Sequence, residues 1–219
     1  MGKTGKERVE MRGKLSIAAK VLIVLLVTSA WFGMIHSAAG TLSDTGVRSL
    51  RYFTVLSNFL CAIAALVHVL VLAVKPTAPR WVLRLSFLGT TAVGVTLMVV
   101  LLFLGPLYGY AAMLRGANLW FHLVVPVLAI LDHILLEQGE RPSLRDTGLA
   151  LLPTLLYGLG YLGNILINGV GEWPDHTNDW YAFTAWGLPV GIGIFAAILL
   201  LTWGIACALR GLGRVRARR

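Results

Sequence analysis

Two polar residues, Thr54 and His122, stand inside long apolar stretches where a lipid-buried helix would not favour them. Thr54 lies in the segment Arg-Tyr-Phe-Thr-Val-Leu-Ser-Asn-Phe, and His122 lies in Asn-Leu-Trp-Phe-His-Leu-Val-Val-Pro. Polar and ionisable residues within membrane helices indicate a functional site. A hydroxyl beside an imidazole is the minimum equipment for nucleophilic catalysis. We therefore expect Thr54 to be a nucleophile and His122 to be its general base, with no carboxylate placed to orient the imidazole.

Further polar residues share the helix face of each candidate. Ser57, Asn58 and Cys61 follow Thr54 at helical spacing and form one polar stripe with it. Asn118 precedes His122 by four residues and faces the same way. The amides of the two asparagines are candidate donors to an oxyanion. The full set of oxyanion and substrate-binding candidates is Asn58, Ser57, Asn118, Asn168 and Trp180.

Structural roles remain open for both residues. A lone threonine in a membrane helix commonly bonds the carbonyl four residues earlier, and a lone buried histidine is commonly structural. His36 and His176 are rival bases at the ends of apolar runs. Cys61 lies deeper, in apolar surroundings that raise the pKa of a thiol, so it is a poor nucleophile.

The composition requires a membrane. Of the 219 residues, 57% are hydrophobic and 13% are charged, which is more apolar surface than a soluble domain of this length can bury. Six segments are long enough to cross a bilayer as helices, at about 15–38, 51–74, 81–104, 117–136, 147–169 and 183–209. The sequence thus predicts an all-α, polytopic protein with a basic leader at 1–14, a six-helix domain at 15–209 and a basic tail at 210–219.

The positive charges predict the orientation. Three basic residues, Arg48, Arg51 and Arg115, fall on one side of the predicted spans. Fifteen fall on the other, namely Lys3, Lys6, Arg8, Arg12, Lys14, Lys75, Arg80, Arg84, Arg141, Arg145, Arg210, Arg214, Arg216, Arg218 and Arg219. Because cytoplasmic loops carry the excess of lysine and arginine, both termini should be cytoplasmic. The net charge of +9 then reflects topology, and no nucleic-acid partner is expected.

A second polar cluster is predicted nearer the cytoplasmic side. His68 follows Thr54 by fourteen residues, Asp132 follows His122 by ten, and His133 is adjacent to Asp132. A carboxylate at that depth needs a partner, and the two histidines are the candidates. The cluster could be a helix-helix contact, a proton relay or a metal pair. Because no HExxH or CxxC pattern is present, no metal or other cofactor is predicted.

The chain resembles a known family at these residues. The segment from Arg51 to Leu60 resembles the aromatic-Thr segment of the androgen-induced and androgen-dependent six-helix membrane proteins. Asn118-Leu-Trp-Phe-His122, with an acid at Asp132, resembles their Asn-x-x-x-His segment. It is closer to the bacterial "Pr-six-Pr" membrane proteins, which share "FTxxSN" and "HxVVPVLxxLD". Trp180-Tyr-Ala-Phe183 resembles their "YPF" element, with Ala182 in place of the proline.

The resemblance implies an integral-membrane threonine hydrolase of lipid esters, such as fatty-acid esters of hydroxy fatty acids, in a bacterial inner membrane. Thr54 would be the nucleophile, His122 the base, and a lipid or fatty-acyl ester the substrate. Three alternatives remain: an acyltransferase using the same residues, a small channel or transporter with a proton or ion site at Asp132 and His68, and a non-enzymatic membrane protein. The sequence does not determine the oligomeric state.

Overall fold

A computed structural model of the chain describes residues 3–36, 46–172 and 176–217. Within these ranges, six helices are long and apolar enough to cross a membrane, which confirms the prediction of an all-α, polytopic fold. We call these six helices spans one to six. They are Gly5–Gly33, Phe53–Val74, Arg80–Tyr108, Ala117–Leu136, Leu144–Asn168 and Leu188–Gly213.

The first and last helices are slightly longer than spans one and six. The first is continuous over Lys3–His36 and the last over Leu188–Ala217, so most of the predicted leader and tail are helical and continuous with those spans. Between them lie a 3-10 helix at Gly46–Arg51 and α-helices at Phe53–Val74, Arg80–Val99, Gly105–Tyr108, Tyr110–Met113, Ala117–Leu119, Val125–Leu131, Leu144–Leu149 and Leu152–Asn168. A two-stranded antiparallel ribbon pairs Gly171–Glu172 with His176–Thr177.

Three π-helical segments interrupt spans three and four, at Val100–Leu104, Trp120–Val124 and Asp132–Leu136. Two of them have a direct cause in the sequence. Pro106 and Pro126 have no N–H to give to the carbonyls of Leu102 and His122, four residues earlier, and both carbonyls lie in a π-helical segment. Single π-helical turns occur often at functional sites. The second one contains His122.

Contacts between early and late parts of the spans show that consecutive spans run in opposite directions. Ser57, near the start of span two, bonds Thr96, late in span three, at 2.9 Å. Arg84, early in span three, bonds Asp146, early in span five, at 2.7 Å. We call the two ends of the bundle the Thr54 end and the Glu137 end.

An apolar layer separates these two ends. It is built around fully buried side chains of spans one to four, including Val27, Val55, Val93, Phe121 and Val125. Span three is central, since it packs against spans two, four and six. Its glycine at position 89 permits close approach, because a Cβ there would lie 2.9 Å from the Cα of Cys61 on span two.

Candidate functional site

The Thr54 hydroxyl lacks a hydrogen bond that three other membrane threonines of this chain make within their own helices. Thr28, Thr91 and Thr202 each donate to the carbonyl four residues earlier, at 2.7 to 2.8 Å. Thr54 is half-buried in the first turn of span two. Among the residues that the structure describes, its hydroxyl makes no hydrogen bond to its own helix or to His122. A hydroxyl without a structural partner is free to react.

Asn58 joins the helix turn of Thr54 to the residue before His122. Its Nδ2 donates to the Thr54 carbonyl at 2.7 Å and to the Phe121 carbonyl at 3.1 Å. Because the same nitrogen binds both carbonyl oxygens, these oxygens lie within about 6 Å of each other. Spans two and four are therefore held together at the level of both candidate catalytic residues. Both Nδ2 hydrogens are committed, so Asn58 positions the helices and cannot also donate to an oxyanion.

The ring of His122 is held in one tautomer. Its Nδ1 lies 2.7 Å from the Met113 carbonyl. Because a carbonyl only accepts, Nδ1 must carry the proton, and Nε2 of the neutral ring then has a free lone pair. His122 is 3% exposed. The carbonyl of Met113 therefore takes the orienting role that a carboxylate has in a catalytic triad.

Of the remaining amide and hydroxyl candidates, Asn118 is the uncommitted one. Asn118 is buried, its Oδ1 has no partner, and its Nδ2 makes no hydrogen bond within the described residues. Ser57, by contrast, bonds both the Thr54 carbonyl at 3.0 Å and the Thr96 hydroxyl. The structure thus separates the predicted polar residues into a scaffold pair, Ser57 and Asn58, and a free amide, Asn118.

The aromatic segment after span five packs on the start of span two. Phe53 donates its backbone N–H to the Tyr181 hydroxyl at 3.0 Å. The Tyr157 hydroxyl donates to the Arg51 carbonyl at 2.6 Å and accepts from Trp180 Nε1 at 3.2 Å. The Arg51 guanidinium lies 5.2 Å from the Trp180 ring centre. Trp180 therefore packs beside the first turn of span two, and its indole N–H is already bonded to Tyr157.

Asp179 fixes the shape of this aromatic segment. Its carboxylate accepts the backbone N–H groups of Phe183 and Thr184 at 2.8 and 2.9 Å, and it also accepts the Tyr161 hydroxyl. Burial alone would raise the pKa of Asp179, but the hydrogen bonds from Thr184 and Tyr161 outweigh it and lower the pKa. The turn that results places Ala182 at φ 53°, a left-handed conformation that proline cannot adopt.

Some predicted residues lie elsewhere or outside the description. Asn168 is exposed at the end of span five, and its Nδ2 donates to Asn164 Oδ1 at 2.8 Å. Nothing is described of the side chains of His36 and His176.

The deep cluster is rearranged relative to the prediction. Asp132 was expected to pair with His68 or His133, and that is wrong. Its carboxylate pairs with Lys20 of span one and accepts from Ser16 at 2.6 Å. The reason is geometric, because His133, the next residue along a helix, points about 100° away from Asp132.

The two histidines converge instead on Glu137, which follows the end of span four. His133 Nδ1 lies 2.8 Å from Glu137 Oε2, and His68 Nδ1 lies 3.5 Å from Oε1. Lys20 also reaches Oε1, at 3.5 Å. His68 further bonds Ser86 of span three at 3.0 Å. All four spans from one to four contribute to this cluster, which we call the Lys20–Glu137 cluster.

Lys20 and Glu137 were missed by sequence reasoning. Lys20 was assigned to neither side of the membrane in the charge count, although it stands in the apolar run of span one, four residues after Ser16. An ionisable residue within a span is itself a signal of a site. Glu137 gave no comparable signal, because it lies where the helix gives way to a polar connection.

Two cavities, each of about 10 Å³, adjoin Glu137. The first, the outer cavity, is lined by side chains that include Arg80, Arg84, His133, Glu137 and Arg141. The second, the inner cavity, is lined by apolar residues and by Lys20, Cys61, Ser86, Thr90, Asp132 and Glu137. Each is about the size that holds one water. Neither is lined by Thr54 or His122.

Comparison with known proteins places the chain in no family, since no family, curated protein or solved structure matches it.

Proposed function

We propose that the chain is an integral-membrane hydrolase of lipid esters that uses Thr54 as nucleophile and His122 as general base. The observation that carries the proposal is the double hydrogen bond of Asn58. By binding the carbonyls of Thr54 and Phe121, Asn58 brings an uncommitted hydroxyl on span two to the level of an imidazole on span four.

The reaction follows from the tautomer of His122. Nε2 takes the proton of the Thr54 hydroxyl while its oxygen attacks the ester carbonyl. The imidazolium then gives that proton to the departing alcohol, and the acyl group remains on Thr54. Water deprotonated by the same Nε2 attacks the acyl-threonine, releases the fatty acid and restores the hydroxyl. If a second alcohol replaces water, the same steps give an acyl transfer.

Asn118 is the side-chain donor we assign to the oxyanion. Its Nδ2 is uncommitted within the described residues, whereas both Nδ2 hydrogens of Asn58 are used. Removing one oxyanion donor typically costs about 10²–10³ in kcat. Asn118→Ala should therefore slow the acylation step and leave the helix contact made by Asn58 in place.

The resemblance to the six-helix ester hydrolases supports this assignment through the positions of its three segments. Those segments contain Thr54, His122 and Tyr181. In the fold, the Tyr181 hydroxyl caps the residue before Thr54, and Tyr181 packs on the apolar layer that includes Phe121. Segments far apart in sequence thus meet at one end of the bundle. On this basis the proposed substrates are fatty-acid esters of hydroxy fatty acids.

The proposed location is a bacterial inner membrane, with both termini in the cytoplasm. The positive charge of the predicted leader, connections and tail supports this orientation. It places the Glu137 end at the cytoplasmic face and the Thr54 end at the opposite face. Reporter fusions at each terminus test it, and activity of a periplasm-only reporter at either terminus would reverse it.

The test of the hydrolase is ester cleavage by purified protein in nanodiscs. Thr54→Val removes the hydroxyl and keeps the branched shape, so turnover should fall to the background rate, while Thr54→Ser should retain part of it. Thr28→Val is the matched control, because the Thr28 hydroxyl bonds its own helix. Substantial cleavage by Thr54→Val would exclude an acyl-threonine. An activated ester probe should label the wild type and Thr28→Val, and it should not label Thr54→Val.

A channel or transporter is the second candidate, and the buried Lys20–Glu137 cluster is the observation that favours it. Liposome ion flux that requires Asp132, without ester cleavage, would select it over the hydrolase.

A further inference from the structure

The Lys20–Glu137 cluster places five ionisable side chains in the bundle, each 5% exposed or less: Lys20, His68, Asp132, His133 and Glu137. They come from spans one, two and four and from the residue that follows span four. Burying one charge without a partner is expensive, and several together must balance. The balance of charge in the cluster therefore determines how many protons it holds.

Without a proton on a histidine, the cluster is not neutral. Lys20 supplies one positive charge, and it contacts both Asp132 and Glu137. Two carboxylates against one ammonium leave a net charge of −1. In a buried site, that charge attracts a proton to whichever nearby base accepts it most readily.

Among the described residues, no arginine near the cluster forms an ion pair with Asp132 or Glu137 at 4 Å or less, including Arg210 of span six, which packs against the segment Asp132–Leu136. Arg84 is paired with Asp146 at 2.7 Å and Arg80 with Glu140 at 3.3 Å. Arg141 is half-buried, and it donates to the backbone carbonyl of His133 at 3.4 Å. Within the described chain, Arg141 forms no ion pair with Glu137 at 4 Å or less. The thiol of Cys61, across the inner cavity, contributes no positive charge in either of its forms.

Among the bases, the geometry selects His133. His68 approaches the same Glu137 oxygen as the Lys20 ammonium, so a charge on His68 would be repelled. His133 binds the other oxygen at 2.8 Å, and the ring of Phe87 lies 5.4 Å away. Burial by itself would raise the pKa of Glu137, but the hydrogen bond from His133 and the charge of Lys20 outweigh it and lower the pKa to about 2. Glu137 thus stays ionised. Both oxygens of Asp132 already accept hydrogen bonds, one from Ser16 and one from Lys20, so the proton goes to a nitrogen.

We propose that the Lys20–Glu137 cluster is a proton-binding site that holds one proton on His133 at neutral pH, as an imidazolium paired with Glu137. This proposal is independent of the reaction at Thr54.

The site has a route for proton entry at the Glu137 end. His133 lines the outer cavity, and its Nε2 is buried without a partner. One water in that cavity would pair with Nε2 and carry a proton from the polar connection to the ring. Glu137 lines both cavities, so it bridges the imidazolium and the Lys20–Asp132 pair. Toward the Thr54 end, the cluster is followed by buried apolar side chains that include Val27, Val55 and Val93. The geometry thus fits entry of the proton from the Glu137 end.

The experiment is ¹⁵N NMR of histidine-labelled, full-length protein in nanodiscs at pH 7.5. An exposed histidine, with an ordinary pKa of about 6.5, is about nine-tenths neutral at this pH. We expect an imidazolium signal that is absent from the His133→Gln spectrum. The signal should be lost in Glu137→Gln. In that variant the charges of Lys20 and Asp132 balance, so the cluster is neutral when His133 carries no extra proton.

Glu140→Gln is the matched control, because Glu140 is an exposed acid that pairs with Arg80 outside the cluster. The imidazolium signal should persist in that variant. A neutral His133 ring in the wild-type spectrum at pH 7.5 would overturn the proposal, whether or not the Glu137 variant folds. An imidazolium that is assigned instead to His68 would overturn it as well.

Discussion

Replacing Lys20 by methionine should strongly destabilise the protein. Methionine fills nearly the same volume but removes the ammonium that pairs with Asp132 and Glu137. Asp132 keeps its hydrogen bond from Ser16. Both carboxylates stay buried, however, and they now repel each other without an intervening positive charge.

The magnitude follows from burial and distance. Lys20 is 3% exposed, and its distance to Glu137 is 3.5 Å. Unit charges at about 4 Å interact by about 4 kcal/mol at an effective dielectric constant of about 20. Breaking a buried ion pair by removing one partner costs about 3–5 kcal/mol, because the remaining charge is uncompensated. We expect a loss of about 3–5 kcal/mol for Lys20→Met, partly reduced if a carboxylate takes up a proton.

The assay is unfolding in mixed micelles by increasing fractions of a denaturing detergent, followed by circular dichroism. Asp132→Asn in the Lys20→Met background should recover part of the loss, and the recovery measures the coupling of the pair. Lys14→Met is the matched control. Lys14 pairs with Glu10 at 2.8 Å, but the two side chains are 75% and 62% exposed, so no measurable change is expected. If Lys20→Met unfolds at the same fraction of denaturing detergent as the wild type, the ion pairs of Lys20 do not stabilise the fold.

Three further predictions concern packing and the aromatic segment. Gly89→Ala should cost about 1–3 kcal/mol in the same assay, because its Cβ would meet the backbone of Cys61 at 2.9 Å. The control Gly163→Ala, with nothing within 4 Å of its Cβ, should instead stabilise its helix by about 0.5–1 kcal/mol. At Ala182, with φ 53°, glycine should stabilise the fold by about 1 kcal/mol, and proline should prevent formation of the turn; equal unfolding of the two variants would contradict this. The folded-state pKa of Asp179 is lowered, so its contribution is complete above the unfolded value of about 3.9 and is lost as pH falls through the folded value. The thermal stability of the wild type should therefore decrease below about pH 4, and the stability of Asp179→Asn should decrease less over that range.

The six helices could be predicted because hydropathy and length are local properties of the sequence. The predicted spans 51–74 and 117–136 agree closely with Phe53–Val74 and Ala117–Leu136. Span six was expected from 183, but its helix begins at Leu188. Residues before it form turns around Asp179, whose carboxylate binds the N–H groups of Phe183 and Thr184. A side chain that competes for backbone N–H groups delays the start of a helix, and hydropathy does not register it.

The partners of the buried charges could not be predicted, because they depend on which faces of separate helices meet. Ser16 and Asp132 are 116 residues apart in sequence, and Lys20 and Asp132 are 112 apart. Spacing along one helix indicates a shared face but not the neighbour of that face. The adjacent His133 was therefore a reasonable expectation for Asp132. Once the helices are packed, His133 and Glu137, four residues apart, pair within the same span.

The polar stripe of span two shows why spacing alone overstates a catalytic site. Ser57 turns to span three through Thr96, and Asn58 turns to span four through Phe121. Both side chains also donate a hydrogen bond to the Thr54 carbonyl. Two of the four stripe residues therefore hold the helices together, which is the ordinary use of polar groups in a membrane bundle.

Thr54 remains as the stripe hydroxyl that this packing does not use. Three other membrane threonines satisfy their hydroxyls within their own helices. For Thr54, the carbonyl four residues earlier belongs to Leu50, in a 3-10 helix that ends before span two begins. The change of helix type at the start of the span thus removes the usual internal acceptor. The hydrogen bonds that the Thr54 carbonyl accepts from Ser57 and Asn58 fix the backbone at this residue, while the Thr54 hydroxyl itself is left without a bond to its own helix.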